Sequence, residues 1–217
     1  VRRKIRGTAR EYLEAILVAV VIAVVLRAFV VQAYRIPSDS MQDTLVVGDF
    51  ILVNKFAYDF REPKPGDVLV FKYPLNPSKD FVKRCIAIEG QTVQIRDKTV
   101  YVDNQMMPNS PGVRFTDPHI ISADLSNRDN LGPLTVPPGC VFVLGDNRDD
   151  SKDSRTWGFL DKSMIRGSAL FVYWSWAPDP NAPRWESPYI WPLLSIPFYN
   201  LAHFPSRVRW DRIGKGL

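Results

Sequence analysis

The run Tyr12–Val31, YLEAILVAVVIAVVLRAFVV, constrains this chain more than any other stretch. Twenty helical residues rise about 30 Å, the thickness of a bilayer's hydrocarbon layer. Glu14 falls in the first turn, and Arg27 lies four residues from the end, where its stem can follow the helix while the guanidinium reaches the headgroups. A cleavable leader has the same basic-then-apolar layout. Arg27 splits the apolar run, however, and cleavage after Ala28 or Ala33 would be poorly placed. The stretch therefore reads as a retained anchor over residues 12–33, after a basic tail over residues 1–11. Five basic groups and no acid precede it in residues 1–10, and Asp39, Asp43 and Asp49 follow it. That asymmetry puts the N-terminus in the cytoplasm and residues 34–217 on the far side of the cytoplasmic (inner) membrane. The first residue is Val1 rather than methionine, which leaves room for a preceding segment.

Charge placement excludes one class of partner. The net charge is +5, yet residues 1–10 supply five basic groups and residues 207–217 four against one acid, leaving 19 basic and 22 acidic groups in residues 11–206. A slightly acidic body has no basic groove for nucleic acid, and the basic ends suit lipid headgroups. With 217 residues, 46% of them hydrophobic, one real core is within reach. Cys85 and Cys140 form no C-x-x-C pair, and His119 and His203 stand far apart in unrelated contexts, so neither a metal nor a cofactor is expected. A Cys85–Cys140 disulfide is compatible with an extracytoplasmic domain, and so are two buried free thiols.

Beyond residue 34 the pattern is mainly β. Phe50–Val53, Asp67–Tyr73, Phe81–Ile88, Thr92–Ile95, Thr99–Val102, Val141–Leu144 and Ala169–Trp174 are short apolar or alternating runs between Gly, Pro and Asp turn signals. They predict an antiparallel β-sheet architecture, a sandwich or partly closed barrel. Residues 104–138, polar and rich in Pro and Asn, read as a loop-rich insertion. Residues 177–206 hold many prolines and aromatics. Tyr189–Ala202 within them is too short and too broken by proline to span a bilayer, so core packing is expected, with some rings at the membrane interface.

Ile36-Pro-Ser-Asp-Ser-Met41 follows the anchor, and alone it reads as ordinary turn chemistry. A serine there needs an activating group. A histidine triad would have to use His119 or His203, neither in a catalytic context. A lysine made neutral by burial is the remaining route. In Phe81-Val-Lys-Arg-Cys-Ile86, strand alternation puts Phe81, Lys83 and Cys85 on one face and sends Arg84 to the other. The second outlier is the polar loop Gly145–Gly158 after an apolar strand, where Asp153 and Arg155 can pair and Ser151 and Ser154 offer hydroxyls.

Four stretches in this order, IPSDSMQDTLVVGDFILVNKFAY (36–58), PGDVLVFKYP (65–74), VKRCIAIEG (82–90) and VLGDNRDDSKDSRTWG (143–158), strongly resemble bacterial signal peptidase I, the membrane-bound Ser–Lys leader peptidases. The resemblance runs from the anchor nearly to the C-terminus. It implies Ser40 as nucleophile, Lys83 as general base, and Ser38 in the oxyanion hole beside the Ser40 backbone N–H. It further implies a hydrogen bond from Ser151 to the Lys83 amine, with Asp153 and Arg155 buttressing the site and Asp146 orienting it. Ile36, Met41 and Phe81 become walls of shallow pockets for small side chains at substrate positions −1 and −3. Secretory preproteins and membrane lipid are the implied partners, alongside the protein translocation machinery. The chain departs from the family at Asp43, where proline is usual, at Gln91, usually Asp, and at Asp39 and Cys85, often Gly and Val.

Three other readings stand beside this one. A self-cleaving repressor would need a DNA-binding helical module where this chain has its apolar run. An organelle inner-membrane processing peptidase of the same family shares the motifs. A non-catalytic anchored β-domain that binds exported chains would not need both Ser40 and Lys83.

Overall fold

Turn residues divide the chain into short β segments, and the backbone pairs these into two open antiparallel sheets. The computed structural model describes the backbone of residues 2–25, 31–183 and 190–217. A helix, α1 (Arg2–Val25), leads into β1 (Val31–Arg35), β2 (Asp49–Asn54), β3 (Val68–Tyr73) and β4 (Asn76–Ile88). Next come β5 (Thr92–Arg96), β6 (Thr99–Val102), β7 (Gln105–Met106), β8 (Leu131–Thr135) and β9 (Cys140–Leu144). The short helix α2 (Ser154–Trp157), β10 (Leu160–Asp161), β11 (Ile165–Ser175) and helices α3 (Ile190–Ala202) and α4 (Phe204–Arg207) complete the order.

Seven strands make the main sheet, ordered β1-β2-β11-β3-β4-β9-β10, and four make the second, β7-β6-β5-β8. The mainly β, antiparallel expectation holds. Of its variants the barrel does not form, because β1 and β10 end the main sheet without meeting. Every strand expected from the sequence is present. The insertion over 104–138 is largely irregular, as its composition requires, but it also supplies β7 and β8, and β8 closes the second sheet against β5.

The apolar run behaves differently from its expected span. The helix is described as far as Val25, residues 26–30 lie outside the described residues, and residues 31–33, assigned to the anchor, belong to β1. There the chain pairs with β2, from Val31 opposite Asn54 to Arg35 opposite Phe50. A partner strand and a β-branched first residue favour extended backbone over a further helical turn. Among the described residues no helix is long and apolar enough to cross a membrane. Leu13, Ile16, Leu17, Val20 and Val21 on α1 are all more than half exposed. Toward the other end, α3 forms with Pro197 inside it, and Leu193, Phe198 and Leu201 are exposed, so core packing claims less of this region than its composition suggests. Trp185 and Tyr189 lie outside the described residues.

Strand β4 ties the cores together. Val82 packs with Ile36, Met41 and Leu45, whereas Phe81 and Cys85 pack with Leu69, Phe71 and Val143. The expected alternation is therefore realised. Cys85 and Cys140 are free thiols, and burial pushes the Cys85 pKa up.

Candidate active site

Lys83 enters the site from β4, where its backbone stands opposite Leu69 of β3. Its side chain is only 2% exposed and its ammonium lies 5.6 Å from the Phe81 ring centroid. Desolvation disfavours the charged amine and lowers its pKa from 10.5 to about 8; the negative charges of Asp153 and Asp146 oppose that shift. Lys83 Nζ donates to Ser40 Oγ at 2.5 Å, across 43 residues of sequence.

Ser40 sits in a turn rather than on a strand. Gln42 N donates to Asp39 O, and the N–H groups of Thr44 and Leu45 both donate to Met41 O, which winds residues 39–45 tightly around the nucleophile position. Ser38 Oγ lies 3.5 Å from Ser40 Oγ, on the same side of the turn. Ser38, Ser40, Ile36, Met41, Phe81 and Lys83 line one cleft of about 470 Å³. Ile36 and Met41 are themselves buried in the core, so they form its floor, while Phe81, stacked on Tyr73 at 4.2 Å, forms a wall. Neither His119 nor His203 lines it; His119 pairs with Asp117 and His203 with the Tyr199 carbonyl.

Loop 145–155 fastens the two halves. Asp146 is fully buried and accepts from Arg84 Nε at 2.9 Å, Arg84 Nη2 at 2.7 Å and Thr44 Oγ1 at 2.6 Å. It thus holds the chain neighbour of Lys83 and the turn that carries Ser40 at once. Asp153 pairs with Arg155 at 2.8 Å, as the spacing suggested, and also accepts from Gly145 N at 3.0 Å. One expected contact is missing. Ser151 Oγ is buried with no hydrogen-bond partner among the described residues, instead of bonding the Lys83 amine. It packs against Gly145, where an added Cβ would lie 2.1 Å from Ser151 Oγ and 2.5 Å from Ser40 O.

Three supporting residues escaped the sequence reading. Asn147 donates from its backbone to Ser40 O and from its side chain to Asp39 O, both at 3.2 Å. Thr44 bridges to Asp146, and Gly145 leaves the gap in which Ser151 and Ser40 O approach each other. The polar loop was singled out as a block, but nothing in spacing alone says which of its members face residues 39–44. Tyr34 and Val82 also line the cleft, and the Tyr34 hydroxyl is buried without a hydrogen-bond partner among the described residues.

Comparison with known proteins shows the family. The sequence model of the family described as "Signal peptidase, peptidase S26" matches residues 9–174. Signal peptidase I of Aquifex aeolicus is 33% identical over an alignment of 259 residues, covering 95% of this chain and 100% of the relative. Signal peptidase I of Pseudomonas aeruginosa is 36% identical, over 79% of this chain and 74% of the relative. That of Mycobacterium tuberculosis is 38% identical, over 78% and 74%. With the family matched over most of its length, the chain belongs to the signal peptidase family, peptidase S26, and is a serine endopeptidase.

Proposed function

We propose that this endopeptidase removes signal peptides from secretory preproteins by a Ser40–Lys83 acyl-enzyme mechanism. The observation that carries it is the buried Lys83 amine in contact with Ser40 Oγ, with its pKa lowered to about 8. Neutral Lys83 takes the Ser40 proton as Oγ attacks the scissile carbonyl. The Ser38 hydroxyl and the Ser40 backbone N–H receive the developing oxyanion; losing one such donor typically costs about 2.7–4 kcal/mol. Lys83 then hands its proton to the leaving amine and activates the deacylating water.

Substrate lies as an added strand in the cleft between segments 34–41 and 80–83. β4 registers with β9 only from Arg84 onward, which leaves its backbone before Lys83 unpaired on that side. A floor of Ile36 and Met41 and a wall of Phe81 suit small side chains at −1 and −3, as in A-x-A cleavage sites. The exposed apolar side chains of α1 support insertion of the run that begins at Tyr12 into the membrane, with the catalytic body on the extracytoplasmic side. Ser40 lies nine residues beyond Val31, at most about 32 Å of extended chain. The active serine would thereby stay near the point where signal peptides, delivered by the translocation machinery, emerge from the same bilayer.

The test is purified protein in detergent with a preprotein carrying Ala at −1 and −3. Wild type cleaves after position −1, and Ser40→Ala and Lys83→Ala fall to background. Activity rises with pH through about 8, because the base works only when neutral and its folded pKa lies near that value. Cutting by either variant at the wild-type rate, or a rate flat from pH 6 to 9, removes the dyad.

A further inference from the structure

We infer that the segment Arg209–Lys215 clamps the turn that carries the nucleophile, with Arg212 and Lys215 as positioning residues; the inference rests on Ser40 being that nucleophile. The turn contains Asp43 at φ +75°, a left-handed conformation uncommon outside glycine. Proline, usual at this position in the family this chain resembles, is held near −65° and cannot take that backbone. The rigidity a proline would give is supplied here from far along the chain.

Three cationic side chains reach three carbonyls of the turn and its exit. Lys215 Nζ donates to Asp43 O at 2.8 Å, Arg212 Nη2 to Thr44 O at 2.9 Å, and Arg209 Nη2 to Val47 O at 2.7 Å. The Arg212 guanidinium also pairs at 2.6 Å with Asp49, a fully buried carboxylate that accepts from Val46 N and Ser175 Oγ as well. The clamp is fixed at its own base: Gly214 N donates to Val172 O and Val172 N to Lys215 O, which ties it to β11.

Thr44 connects this clamp to the base. Its carbonyl accepts from Arg212 while its hydroxyl donates to Asp146, the carboxylate that holds Arg84 beside Lys83. Arg212 bonds to Thr44 and Asp49, neither of which lines the cleft, so it acts by holding Ser40 at its distance from Lys83. Misplacing a reacting group by about 1 Å costs on the order of 100-fold in rate.

The experiment compares full-chain Arg212→Ala and Lys215→Ala with wild type in detergent, reading preprotein cleavage and backbone hydrogen exchange together. For Arg212→Ala, kcat falls by about 10–100-fold with KM within about twofold. Its pH midpoint stays in place, because Lys83 is untouched, and millimolar guanidinium ion restores part of the rate. Lys215→Ala, which loses an exposed side chain, lowers kcat by about threefold. In both, the Thr44 and Leu45 amides exchange at least about tenfold faster while those of β3 and β4 do not change. Unchanged exchange at Thr44 and Leu45 overturns the clamp, and so does a loss of kcat matched by faster exchange throughout the sheet. If Arg212→Ala does not fold, Lys215→Ala decides alone. A wild type that leaves the preprotein intact removes the dyad reading, and the exchange data still settle the clamp.

Discussion

The two reacting side chains are held in opposite ways. Lys83 projects from a paired strand in the middle of the main sheet and is buried by neighbours that strand alternation brings to it. Ser40 is half-buried in a turn, and its fastenings come from Asn147, Asp146 through Thr44, and the segment 209–215. The base is thus tuned by burial, and the nucleophile is positioned by hydrogen bonds that reach across the sequence. Damage to the sheet should move the pKa; damage to the loops should move the geometry.

Asp146 belongs to both sides and gives the largest expected effect. Asp146→Ala strands a buried Arg84 guanidinium and should cost about 3–5 kcal/mol in urea unfolding, together with most of the activity. A loss under about 1 kcal/mol would mean that the two halves do not share this support. Lys83→Met should act in the other direction. The folded pKa of Lys83 lies below 10.5, so the folded state resists the proton; this penalty is complete below about pH 8 and fades as pH rises toward 10.5. The variant should therefore lose cleavage yet gain up to about 3 kcal/mol at pH 7, and less at pH 10. An unchanged melting temperature at pH 7 would show that Lys83 is solvated.

Gly145→Ala tests the serine side alone. Its Cβ would fall 2.5 Å from Ser40 O, which should cost about 1–3 kcal/mol and lower kcat while the pH midpoint stays near 8. A shifted midpoint would erase the division between tuning and positioning. Thr44→Val is the mildest change: it removes one donor from Asp146, which keeps Arg84, and should cost about 1 kcal/mol with a small drop in kcat. An effect as large as that of Asp146→Ala would make Thr44, not Arg84, the main partner.

The same contrast explains what the sequence discloses. Lys83 was legible because a period of two is local: Phe81 and Cys85 flank it, and both pack as expected. The strands were legible because Gly, Pro and Asp punctuate them. Val31 reads as anchor because it ends the apolar run, and only the partner strand β2 reveals it as extended. The supports of Ser40 were hidden for a different reason. Asn147 is 108 residues from Asp39 and Arg212 is 163 from Asp49, and no periodicity links positions so far apart. Ser151 shows the limit of resemblance: the motif placed it at the site, but its hydroxyl does not reach the amine.

The bond between Arg212 and Asp49 closes a loop of 163 residues. Closing so long a loop costs entropy before it brings any contact, and pairings this distant form late in folding. Strand pairing between β3 and β4 needs no such closure. On dilution from denaturant, the amides of the β3–β4 hairpin should therefore become protected from exchange before proteolysis returns. A chain threading toward its final place would carry its serine and lysine without the means to hold them together. Proteolysis should therefore be among the last properties that the folding chain acquires.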